Sequence, residues 1–158
     1  MSNSDDIGFI ISKNQTYKTI YNLIIDLLNH KFDNQYVCFT YNDDIITSKL
    51  HIPILPITEA KFWNGKMFIF DLEAVDIVKN FTNLTDIFYY MDSTEWVNYS
   101  HINYFDLKNI YEENTKIKII ASNNDIYKKY QECWNKNPIA VMETLSYENF
   151  KESIFRSE

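Results

Sequence analysis

A Rossmann-like, doubly wound α/β fold, with a mostly parallel sheet and helices on both faces, is what this sequence predicts. Short, nearly continuous apolar runs rich in Ile, Val, Phe and Tyr recur along the chain, the pattern of strands buried on both faces. Between them lie stretches whose apolar residues return at every third or fourth position, the period of an α-helix. The two kinds of segment alternate, as crossover units do in a parallel sheet. No repeat, linker or compositional break divides the 158 residues, so residues 1–158 are read as a single domain.

Taken in order, "IGFIIS" (7–12) is a first strand. After the polar loop "KNQT", Ile20, Leu23, Ile24, Leu27 and Leu28 recur at helical spacing, which predicts a helix over 17–30 with Thr16 as its N-cap. "YVCFTY" (36–41) is a strand, and "LHIPILPI" (50–57) is extended, its two prolines suiting an edge or a strand end. "MFIFDL" (67–72) gives a strand, 73–81 a helix and "DIFYYMD" (86–92) a strand. Residues 104–114 read as a helix with Phe105, Leu107 and Ile110 near one face. "KIKIIAS" (116–122), a helix over 124–135, "IAVMETL" (139–145) and a helix over 147–155 complete the alternation.

Composition excludes several functions. The formal net charge is −7 and the only arginine is Arg156, so a broad phosphate-gripping surface, and with it direct nucleic-acid binding, is not expected. Cys38 and Cys133 are far apart and lack CxxC spacing; both read as buried thiols of a reducing compartment. The opening residues are polar and acidic, unlike a signal peptide, and no apolar run approaches the roughly 20 residues needed to cross a bilayer. A soluble cytoplasmic protein is the expectation. Abundant Ile, Asn and Lys point to an AT-rich genome, such as that of a phage or other virus.

In open α/β sheets, ligands bind beyond the carboxyl ends of the strands, near the switch in strand order. Those ends are Ser12 to Thr16, Asn42 to Asp44, Asp71, Asp92 to Glu95, Ser122 with Asn123, and Glu143 with Thr144. The first strand–helix loop, "SKNQTY", has no glycine, and the chain holds only Gly8 and Gly65. Dinucleotide and P-loop binding both need glycines where backbone meets phosphate, so no cofactor is expected. Lys13 and Asn14, ahead of the helix, are candidates for weak anion binding, with a capped helix after a solvated loop as the plainer reading. The acidic pair Asp43 and Asp44 follows the second strand and has no matching late lysine, which excludes a response regulator.

His30, His51 and His101 fall in separate segments without metal-ligand spacing, so no metal site is expected. A hard-cation site from Asp71 and Asp92 is conceivable, but solvated or capping carboxylates are the plainer reading, and Asp71 precedes a helix that it would cap. No nucleophile elbow is present, and Cys38 lies inside an apolar strand. The stretch "FYYMDSTEWVNYSHINYF" (88–105) concentrates candidates. Asp92, Glu95 and His101 are candidate general bases toward an acceptor hydroxyl. Trp96, Tyr99 and Tyr104 are candidate stacking surfaces for a sugar or base, or else aromatic cover for the sheet end or an interface.

The segments "IPILPITEAKFWNGKMFIFDLEAVDIVKNF", "DIFYYMDSTEWVN", "IYEENTKIKIIASNNDIYKKYQECWN" and "PIAVMETLSYENF", in that order, resemble the N-terminal half of GT-B glycosyltransferases. The likeness runs from about residue 7 to 150 and rests on hydrophobic runs with sparse polar punctuation. It implies a Rossmann-like half that mainly holds the acceptor, the nucleotide-sugar donor falling to a second Rossmann domain. On that resemblance the chain stops where the second domain would begin, so a homodimer mate or a separate donor-binding subunit would complete it. The resemblance turns Asp92, Glu95 and Ser122 toward the interdomain cleft. With Asp71 and Asn123 at neighbouring strand ends, these residues form the candidate substrate surface for a nucleotide-sugar or glycan. The alternative is a non-catalytic binding or interaction module of the same fold.

Overall fold

The computed structural model describes residues 6–12, 14–30, 35–41, 52–98 and 101–155. Within them the chain runs β1 (Ile7–Ile11), α1 (Asn14–Asn29), β2 (Tyr36–Thr40), β3 (Ile54–Pro56), β4 (Gly65–Ile69), α2 (Leu72–Val78) and β5 (Leu84–Met91). It continues through α3 (Tyr104–Lys108), β6 (Ile117–Ala121), α4 (Asn124–Cys133), β7 (Ala140–Val141) and α5 (Tyr147–Phe150). The seven described strands form one sheet in the order β3-β2-β1-β4-β5-β6-β7, and every adjacent pair is parallel. This is the predicted Rossmann-like α/β architecture, with a sheet that is wholly rather than mostly parallel. The order reverses between β1 and β4, which is the switch point.

Because side chains alternate along a strand, each central strand feeds two cores. Phe9, Cys38, Phe68, Phe88 and Ile120 face one side, where Ile20, Leu23, Ile24 and Leu27 of α1 meet Phe150 and Ile154. Ile10, Phe39, Ile69, Tyr89 and Ile119 face the other, under Val75 and Val78 of α2, Leu107 of α3 and Tyr130 of α4. Double-sided burial explains why these strands read as unbroken apolar runs.

Several boundaries differ from the sequence reading. Helix α1 begins at Asn14, so Thr16 is inside its first turn rather than at its cap. The extended 50–57 segment narrows to three edge residues, followed by a 3-10 turn over Ile57–Phe62. Pro53 and Pro56 do border and end an edge strand. The long strand expected over 139–145 shortens to Ala140–Val141. Helices α3 and α5 each pass into a wider π turn, over Asn109–Glu113 and Lys151–Phe155. In the first of these, consecutive Ile110 and Tyr111 are both buried.

Phe105 does not share a face with Leu107 and Ile110; it is 80% exposed while they are buried. At about 100° per residue, a position two before Leu107 lies nearly opposite it on the helix. Cys133 is exposed, contrary to the expectation of two buried thiols. Helix α4 ends there, and the extended backbone of Trp134 turns the indole inward while the thiol faces out. Cys38 is buried as expected, and burial pushes its thiol up to about 12.

Candidate functional site

Parallel strands bring the loops that follow them to one edge of the sheet, and here those loops enclose a crevice of about 830 Å³. Phe70, just past β4, and Tyr90 on β5 form its floor, their rings 5.8 Å apart and nearly perpendicular. Strand pairing at Phe68↔Phe88 sets these two rings side by side. Thr19 and Asn22 of α1 form one wall, and Glu143, Thr144 and Leu145 after β7 form the opposite one. Asp71, Asp92, Ser93 and Glu95 make the rim. The size is that of a small-molecule pocket, roughly 300–1,000 Å³.

The walls are tied in place. Tyr90 Oη donates to the Met142 carbonyl at 3.0 Å, joining β5 to the loop after β7. Asp26 Oδ2 accepts from Tyr147 N–H at 2.7 Å, joining α1 to the start of α5. His30, at the end of α1, stacks on the Tyr147 ring with centroids 3.9 Å apart. Burial raises the Tyr90 phenol, and the negative charge of Asp92 adds to the effect.

The four rim and wall carboxylates divide by their partners. Asp71 caps α2, its Oδ1 accepting from Ala74 N–H at 2.9 Å, while Oδ2 accepts from the Ser12 hydroxyl across the switch point. Glu95 reaches over from the loop after β5: Oε2 accepts from Leu72 N–H at 3.1 Å and Oε1 from Tyr89 Oη at 3.2 Å. Tyr89 is wholly buried, and desolvation, followed by the nearby Tyr111 and Glu95, holds its phenol well above the usual range. Asp92 and Glu143 are exposed and carry no hydrogen bond or ion pair among the described residues.

The structure therefore gathers Asp71, Asp92 and Glu95 at one crevice. It sets the other candidates elsewhere or leaves them outside the described residues. His101 is exposed in the turn before α3 and is not among the crevice residues. Trp96 packs away from the crevice, 5.2 Å from Tyr111 and 6.1 Å from Trp134, in an aromatic cluster over α3 and α4. Ser122 N–H donates to the Met91 carbonyl, and Asn123 caps α4 by accepting from Ile126 N–H at 3.0 Å. Lys13, Tyr99, His51, Asp43 and Asp44 lie outside the described residues, as does the side chain of Asn14.

Glu143 and Thr144 were legible only as a strand end. Thr19, Asn22, Phe70 and Tyr90 were missed, although Thr19 and Asn22 sit three apart along the edge of the α1 stripe. Among the described residues, no cluster of three or more His, Cys, Asp or Glu is placed to hold a metal ion. None of their helices is long and apolar enough to cross a membrane.

Fold and crevice together define a Rossmann-like α/β domain with a ligand-sized, acidic cleft at its switch edge. Comparison with protein families, curated proteins and solved structures finds no match to the chain.

Proposed function

We propose that this chain is a glycosyltransferase-like domain that holds an acceptor in the crevice and leaves the nucleotide-sugar donor to a dimer mate or a second subunit. One observation carries the reading. The described residues around the crevice are carboxylates, hydroxyls, an amide, a leucine and two aromatic rings, without a Lys, Arg or His among them. Carboxylates accept hydrogen bonds from ligand hydroxyls, and ring faces take the apolar face of a sugar. A diphosphate would instead call for cations or free backbone N–H groups. In this reading Asp92 is the general base toward an acceptor hydroxyl, because its exposed carboxylate forms no hydrogen bond or ion pair among the described residues. The reading takes the protein to be cytoplasmic, in a host cell if the source is viral.

The second reading is a non-catalytic binding module, and the engagement of both Glu95 oxygens favours it, since such a carboxylate is a poor base. A thermal-shift panel of neutral glycans and nucleotide-sugars tests the proposal, because a ligand of the native state raises its melting temperature. At least one glycan should stabilise the chain, Asp92→Asn should weaken that effect, and nucleotide-sugars alone should not shift it. If no glycan at millimolar concentration stabilises the protein, acceptor binding is wrong. Sugar transfer once a donor-binding partner is added separates enzyme from module.

A further inference from the structure

The floor of the crevice is apolar where its walls are polar. Phe70 is half-buried and lines the space. Its ring is braced by Phe68, with centroids 5.1 Å apart at 69°, and by Tyr90, 5.8 Å apart at 64°. Tyr90 is buried and its hydroxyl donates to the Met142 carbonyl at 3.0 Å, so that proton is already committed. The floor therefore supplies ring carbon and no free donor. Around it, Thr19, Asn22, Ser93 and Thr144 are exposed, and their side chains form no hydrogen bond among the described residues. A ligand filling this space meets carbon below and hydroxyl or amide groups at its edges. A flat pyranose has the matching division: axial C–H bonds make an apolar face, and equatorial hydroxyls radiate around it. A hydroxyl pressed against the floor would lose its water without gaining a partner.

We propose that Phe70 is the specificity-determining residue of the crevice, a stacking platform that selects an uncharged pyranose lying flat on an unbroken C–H face. The inference rests on the crevice being the acceptor site and names the acceptor class, an all-equatorial β-glycoside. Because Phe68 and Tyr90 already fix the Phe70 ring, little side-chain freedom is lost when the sugar arrives. An open-chain polyol carries the same hydroxyls but has no face to stack and must be ordered on binding. A nucleobase also has a face, so a nucleoside is the competing occupant. Asp92 and Glu143 at the margin accept hydrogen bonds and cannot donate them, which suits a ring whose every hydroxyl is a donor.

Ligand-observed NMR on the intact chain tests it, with methyl β-glucopyranoside, sorbitol and adenosine as probes. The glucoside should bind, with saturation transfer strongest at the axial protons of one face and those protons shifted upfield by the Phe70 ring current. Sorbitol should show no transfer. Phe70→Leu keeps the apolar bulk and removes the ring, and should weaken glucoside binding at least ~10-fold. Phe70→Tyr retains the ring and should bind within ~3-fold of wild type. Should Phe70→Leu not fold by circular dichroism, the proton pattern on the wild-type protein decides, and transfer spread evenly over both faces overturns the proposal. It is equally overturned if the glucoside does not bind, if sorbitol or adenosine binds as tightly, or if a folded Phe70→Leu keeps its affinity. Acceptor binding survives each of those results where another glycan stabilises the chain, and falls only when none does.

Discussion

Replacing Glu95 by alanine withdraws two acceptors at once, from Leu72 N–H at the start of α2 and from the Tyr89 hydroxyl. Leu72 and Tyr89 are both fully buried, so each donor loses its partner unless water reaches it through the space that Glu95 vacates. A buried donor stripped of its partner costs about 1–3 kcal/mol. Glu95 itself is only half-buried, and water entering the vacated space recovers part of that, leaving a net loss of about 2–3 kcal/mol. For a domain of this length each kcal/mol moves the melting temperature by about 2–4 °C, so Glu95→Ala should melt about 5–10 °C below wild type. Glu95→Gln should cost about 1 kcal/mol or less, because the amide can accept from Leu72 and donate to Tyr89. Asp92→Asn, at an exposed position without a hydrogen bond or ion pair among the described residues, should stay within about 0.5 kcal/mol. Calorimetric melts of the three variants, with Tyr89→Phe added to close a double-mutant cycle, measure these values. The cycle should return a coupling of about 1 kcal/mol between residues 89 and 95. If Glu95→Ala melts with wild type, or if Asp92→Asn is as damaging, the division between structural and free carboxylates is wrong.

Four further outcomes follow from the packing. At pH 8 a thiol reagent should modify Cys133 quickly and Cys38 only as the protein unfolds, since the first is exposed and burial pushes the second up to about 12; two fast thiols would refute this. Stability should fall at alkaline pH. The native state keeps the Cys38 and Tyr36 protons up to about 12, whereas the unfolded chain releases them from about 9.0 and 10.0. The Cys38 stabilisation is therefore whole below pH 9.0 and the Tyr36 one below 10.0; both are lost as pH rises toward 12, the Cys38 part at up to about 1.4 kcal/mol per pH unit, and urea midpoints that stay level from pH 9 to 11 would contradict it. Gly65→Ala should destabilise by about 2–4 kcal/mol, because a Cβ at its φ of +157° would sit 2.6 Å from the Asp6 carbonyl oxygen. Gly8→Ala should cost less in the same melts, since its nearest obstacles at 3.0 Å are the side chains of Met67 and Phe39.

How far the sequence carries depends on whether a signal is local. Strands β1, β4, β5 and β6 were legible because burial on both faces forces unbroken apolar runs, and that pattern needs no knowledge of neighbours. The capping role of Asp71 was legible for the same reason: a residue that accepts from the N–H three positions on acts within its own turn. Phe105 was misread because the helix register is fixed by the pair Leu107 and Ile110, which a short, aromatic-rich segment does not disclose. The π turns escaped because their widened geometry lets consecutive residues share the core, breaking the period on which the reading depends. Cys133 was misplaced by its neighbour: the helix stops beside it, and Trp134 takes the inward position.

The site was legible as a place but not as a division of roles. A parallel sheet must deliver its polar loops to one edge, so Asp71, Asp92, Glu95 and Glu143 were bound to gather there whatever the ligand. Four carboxylates at one crevice repel one another unless some are compensated, and the compensation comes from nonlocal neighbours. Glu95 meets the head of α2 only because β4 and β5 lie side by side, and Asp71 meets Ser12 only because β1 and β4 do. Those adjacencies define the switch point, so the contacts that settle two of the carboxylates are the contacts that create the crevice. The remaining two, Asp92 and Glu143, are exposed at the crevice and make no such contact among the described residues. Substitution at Asp92 or Glu143 should therefore spare stability, whereas truncation at Asp71 or Glu95 should lower it, because the hydrogen bonds that fix the head of α2 are then lost.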